Sequence, residues 1–176
     1  MIFKETMLKG AFVIEPQKLE DERGFFARSF CAREFEAHGL SRHIAQCNIS
    51  YNAKRRTLRG MHYQISPYEE AKLVRCTRGA LYDVIIDLRP DSATYLKSCG
   101  VRLDAENRLM FFIPEGFAHG FITLEDHTEV FYQMSEFYAP DSARGLRWND
   151  PAFTIRWPVE PQVISERDRT YPDYKS

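Results

Sequence analysis

Apolar and polar residues alternate at every second position through a series of short runs, which is the period of half-buried strands rather than of helices. Strands are expected at 24–30, 45–51, 58–64, 71–76, 80–88, 109–113, 121–124 and 128–133. Most of these runs are β-branched or aromatic, and Gly, Pro, Asn or Asp separate many of them. Within 80–88, Tyr82, Val84, Ile86 and Leu88 share one side and Asp83, Ile85 and Asp87 the other. One short helix is expected over 32–38, stopped by Gly39, with a helical turn near the tail after Asp168. Many short strands with few helices predict an all-β sandwich, jelly roll or barrel.

The run 58–64 carries the densest chemistry. Alternation puts Leu58, Gly60, His62 and Gln64 on one face and Arg59, Met61 and Tyr63 on the other. A rigid strand is a good holder for an imidazole that must be aimed, so His62 is expected to be a general base at the mouth of a barrel. Lys72 alternates with Val74 and Cys76, so it points inward and needs an acid or an anionic substrate as partner. Gln46, Asn48 and Ser50 share one strand face, a polar wall that needs a ligand or water inside a barrel. The segments 60–64 and 114–121 look like the two halves of a cupin motif. Gln64 stands where a metal cupin keeps a second His. What remains is His62, His119 and Glu70, a thin set for a transition metal, so neither a metal nor another cofactor is expected.

Composition narrows the field. The chain has 176 residues and net charge -1, with acids and bases interleaved. That length suits one domain over 1–176, and that charge is a poor footprint for nucleic acid or an anionic membrane. No apolar run of about 18 residues and no leading h-region are seen, so no membrane span and no secretory signal are expected. Cys31, Cys47, Cys76 and Cys99 are spread singly, which reads as reduced thiols in a cytoplasmic protein. No glycine-rich phosphate loop is present, so any nucleotide is held by side chains such as Arg23 and Arg59.

Taken in order, Arg59-Gly60-Met61-His62-Tyr63-Gln64, Lys72-Leu73-Val74-Arg75, the segment 83–89, the segment 114–121 and Trp148-Asn149-Asp150-Pro151 form a specific set. With them the chain closely resembles the dTDP-4-dehydrorhamnose 3,5-epimerase family, from about Arg23 to Asp168. The resemblance implies a cupin-type jelly-roll β-barrel with a few short helices. It implies a homodimer with strand exchange, the N-terminal segment lying in the interface. The implied substrate is a nucleoside-diphosphate 4-keto-6-deoxyhexose, inverted at C3, C5 or both, without a metal, in deoxysugar biosynthesis. It assigns His62 as general base, Asp168 as its carboxylate partner, Tyr132 as general acid and Lys72 as the cation near the sugar. It carries binding roles to Arg23, Gln46, Asn48, Arg59, His119 and Arg167, and base stacking to Tyr138. Two positions depart from the family pattern. Arg28 and Ala143 stand where the family has Glu, and an acid-to-Arg exchange favours ring acceptors over ring donors, which widens the expected base to cytosine or guanine. The alternatives are a single-position epimerase or ketoisomerase on a CDP- or GDP-linked 4-keto sugar, and a sugar-nucleotide-binding cupin without turnover. The last predicts loss of His62, Asp168 or Tyr132, and all three are present.

Overall fold

A computed structural model describes residues 1–174. In chain order the elements are β1 (Ile2–Glu5), β2 (Phe12–Glu15), β3 (Lys18–Asp21), β4 (Gly24–Ala27), α1 (Ala32–Ala37), β5 (Gln46–Asn52), β6 (Thr57–Gln64), β7 (Lys72–Arg78) and β8 (Ala80–Asp87). They continue as β9 (Ser98–Asp104), β10 (Met110–Ile113), β11 (Phe117–Thr123), β12 (Thr128–Met134), β13 (Ala143–Gly145), β14 (Val163–Ile164) and α2 (Glu166–Arg169). The architecture is the expected all-β jelly roll. One sheet runs β1-β2-β10-β7-β12-β5, the other β13-β6-β11-β8-β9, and β3 and β4 form a separate two-stranded sheet.

The two large sheets face each other across a core that includes Val74, Phe111 and Val130 from the first and Leu81, Ile85, Phe117 and Phe121 from the second. Alternation along β8 holds: Val84 and Ile86 turn to the other side of their sheet and pack with Met61, Ala118 and Phe153. Helix α1 covers the outer face of the first sheet, where Phe35 meets Leu73, Met110 and Phe112. Burying a side chain of this size is worth roughly 1.5–3 kcal/mol each, so both outer seams contribute to stability as the inner core does. The β3–β4 hairpin is the exception, exposing Leu19, Phe25 and Phe26.

One local departure shapes the site. Strict alternation would put Arg59 and His62 on opposite faces of β6, yet both line the same cavity. Opposite β11 the pairing steps from His119–His62 to Phe121–Arg59, so β6 advances three residues where β11 advances two. The extra residue is a bulge, and it returns Arg59 to the side of His62. Glycine makes the bulge possible. Gly60 has φ +124°, and a Cβ there would fall 2.5 Å from the Gly120 Cα. Gly120 in turn sits so close to Met61 that a Cβ would lie 2.6 Å from its Sδ.

Candidate active site

Two chambers open between the sheets, of about 640 Å³ and about 470 Å³. His62, Lys72, Tyr132, Met134 and Arg167 border both and form the waist between them. Arg59, His119 and Asp168 complete the first chamber, with Ser50 and Phe121. Gln46, Asn48, Glu70, Tyr138, Ala143 and Arg144 line the second.

The tail reaches His62 by a short backbone path. Strand β14 lies parallel to the start of β6, with Val163 beside Thr57 and Ile164 beside Leu58. Helix α2 then turns Asp168 inward, and Ser165 caps that turn by accepting a hydrogen bond from the Asp168 N–H (3.1 Å). Asp168 is buried, and its Oδ1 lies 2.7 Å from His62 Nε2. Its Oδ2 accepts from the Gly60 N–H at 3.3 Å. Burial works against its charge, but the hydrogen bond and charge of His62, with Gly60 and Ser165, override this and hold the carboxyl below its ordinary range. Asp168 is therefore ionised throughout the neutral range, oriented to stabilise an imidazolium. Tyr171 walls the same imidazole edge-on, with ring centroids 6.3 Å apart, and the Arg167 guanidinium stands over the Tyr171 ring.

A second His–Asp pair stands on the neighbouring strands. His119 Nε2 lies 3.0 Å from Asp83 Oδ2, and Asp83 is fully buried on β8. Burial pushes the Asp83 carboxyl up, against the pull of His119 and Lys72. Lys72 starts β7, held between Ile113 of β10 and Met134 of β12. Its inward direction follows the alternation, and its partner is Glu70 at 2.9 Å. Sequence reasoning missed Asp83 and left Glu70 only as a ligand candidate. The signal for Asp83 was an acid inside an apolar strand on the same face as the core residue Ile85, where it must find a partner.

Tyr132 comes from β12 in the sheet that faces β6. Burial pushes its phenol up, Arg59 opposes and Glu70 adds to the rise. A tyrosine must be protonated to donate, and a raised pKa keeps it so to higher pH. The alkaline limb of turnover is accordingly expected above the ordinary tyrosine value of about 10, checked by a kcat–pH profile; a limb well below that value contradicts the assignment.

Gln64 is occupied elsewhere. Its Nε2 donates to the Tyr68 and Phe137 carbonyls and its Oε1 accepts from the Ala139 N–H. The amide thus ties two loops to β6. Arg59 donates from Nε to Asn52 Oδ1 (2.8 Å), and no hydrogen bond from its terminal nitrogens is seen among the described residues. Gln46 accepts from the Tyr138 N–H (3.1 Å), which seats a half-exposed ring at the second chamber. Arg23 and Arg28 line neither chamber of their own chain. Arg23 binds Asp21 at the exposed hairpin turn, and Arg28 pairs with Glu34.

An imidazole with a buried carboxylate behind it, a phenol from the facing sheet and a buried ammonium bordering the same two chambers suit proton transfer beside a carbonyl. On a jelly roll they define a cupin-type sugar epimerase. Residues 5–176 match the family described as dTDP-4-dehydrorhamnose 3,5-epimerase. The enzyme of that name from Methanothermobacter thermautotrophicus is 45% identical over 172 residues, covering 96% of this chain and 92% of its own. The dTDP-4-dehydrorhamnose 3,5-epimerase of Bacillus anthracis, solved with TDP and PPi bound, superposes with TM-score 0.94 at 40% identity, covering 98% of this chain and 99% of its own. A Legionella pneumophila dTDP-6-deoxy-D-glucose-3,5-epimerase, in complex with dTDP-4-keto-L-rhamnose, gives 0.88 at 37% identity over 95% and 89%. This chain belongs to the dTDP-4-dehydrorhamnose 3,5-epimerase family.

Proposed function

We propose that this chain inverts C3 and C5 of dTDP-4-keto-6-deoxyglucose to give dTDP-4-dehydrorhamnose, in cytoplasmic deoxysugar biosynthesis. The observation that carries this is the placement of His62 and Tyr132 on facing sheets, both bordering the two chambers. Inversion at carbon needs a base on one face of the ring and an acid on the other.

The C4 ketone acidifies the C3 and C5 protons. His62 takes one, and the electron pair moves onto the C4 oxygen as an enolate. Asp168 stabilises the imidazolium, and Lys72, with His119 beside it, stabilises the oxyanion. Tyr132 delivers a proton to the opposite face of the carbanion. His62 then releases its proton to solvent and Tyr132 regains one, so the net reaction is inversion alone. Arg59 and Arg167 offer guanidinium groups to the diphosphate, Gln46 and Asn48 line its path, and Tyr138 stacks on the base. The remaining binding residue, Arg23, reaches substrate from a second copy of the chain. The exposed Leu19 and Phe26 of the β3–β4 arm support that reading, since a self-paired hairpin with bare aromatics suits burial against a partner.

Supplying dTDP-, CDP- and GDP-linked 4-keto-6-deoxyglucose in turn, with NMR of the products, tests the assignment. Inversion at both carbons of the dTDP sugar is expected. Preferential turnover of the CDP or GDP sugar, with Ala143 bordering the second chamber, would move the assignment to another nucleotide. Inversion at C3 alone would make it a single-position epimerase.

A further inference from the structure

Lys72, at the waist between the chambers, belongs to a buried ion pair of which the reaction above uses only that member. Lys72 is 7% exposed, and its Nζ lies 2.9 Å from Glu70 Oε1, with both side chains 8% exposed. Burying two charges carries a desolvation cost that their mutual attraction rarely recovers in full. Apolar residues of the same volume would serve stability at least as well, so a pair kept in a cavity wall points to a role in the cavity.

The geometry gives that role a direction. Lys72 borders both chambers, while Glu70 borders only the second. The carboxylate therefore holds the ammonium from the second-chamber side, and the first chamber, with His119 and Asp168, lies beyond it. A lysine stem has four rotatable bonds and an ammonium with three N–H donors. One donor fixed by a carboxylate leaves the others held in place, whereas an unpaired ammonium on that stem would wander or snorkel out. Prepositioned charge is what stabilises a developing oxyanion without reorganisation.

We propose that Glu70 is a positioning residue that anchors Lys72 from the second chamber, so that its free N–H bonds aim at the sugar C4 oxygen as the enolate forms. The proposal rests on the epimerase reading, and its test separates the two. Glu70→Gln keeps the volume and a carbonyl acceptor but removes the charge. It lowers kcat about ten- to a hundredfold with KM for the sugar nucleotide and affinity for dTDP within about twofold. In Glu70→Gln combined with Lys72→Met, kcat equals that of Lys72→Met alone, because the anchor acts only through the lysine. The double variant removes both charges, so it stays folded even if a lone buried ammonium unfolds the single one. NMR of the 15N-labelled lysine ammonium groups reads the anchor without turnover. A protected Lys72 signal, assigned by its loss in Lys72→Met, disappears in Glu70→Gln. Parental kcat in Glu70→Gln, independent losses in the double variant or an unchanged Lys72 signal overturns the proposal. A parent enzyme that inverts no 4-keto sugar but shows the anchored signal overturns the epimerase reading instead.

Discussion

His62→Asn lowers kcat by about a thousandfold or more, within the range that a positioned general base supplies, while dTDP binds as tightly as to the parent. Asparagine is the informative replacement. It removes the titratable ring but ends short of the Nε2 position that meets Asp168; Asp168 keeps the Gly60 N–H, and a melting curve taken alongside separates any folding defect from the loss of the base. The residual rate reports what Lys72, His119 and binding achieve without a base. Steady-state kinetics with calorimetric dTDP binding checks the prediction. A variant with parental turnover removes His62 from the chemistry.

Tyr132→Phe produces a different defect. The phenyl ring keeps the packing of β12 against the core, and only the proton donor is lost. Inverted product falls by about two to three orders of magnitude, the range for a lost general acid. Deprotonation by His62 persists, so substrate recovered from deuterated water carries label although little product forms. Equal loss of label and product would place Tyr132 on the same side of the reaction as His62.

The sequence made most of the sheet legible, for a physical reason. Central strands bury one or both faces, so β6, β7, β8 and β12 declare themselves by alternation or by continuous apolar runs, and the edge strand β5 does so by its alternation. The other edge strands, β1, β9 and β13, have little buried surface, and backbone hydrogen bonds hold them without a demand on side-chain type. Strand β11 begins at Phe117, four residues before the expected start, because Gly120 reads as a break when it is a close approach to β6.

The site was legible to the same degree. The inward aim of Lys72 came from periodicity alone. The wrong face for Arg59 came from the same rule, because a bulge is invisible in a period-two pattern. Asp168 could be placed beside His62 only through the family resemblance, since 106 residues separate them and no local signal spans that gap. Arg23 was expected at the site and stands on an exposed arm, where the chain by itself gives it no substrate to meet. Arg28, expected to bear on the choice of base, pairs with Glu34 and lines neither chamber of its own chain.

The most direct measurement is the fate of hydrogen at C3 and C5 when dTDP-4-keto-6-deoxyglucose is turned over in deuterated water. The parent enzyme yields product with one deuterium at C3 and one at C5, both with inverted configuration, and His62→Asn incorporates neither. Product formed without deuterium at the inverted carbons, or equal labelling by His62→Asn, contradicts proton abstraction by the His62–Asp168 pair.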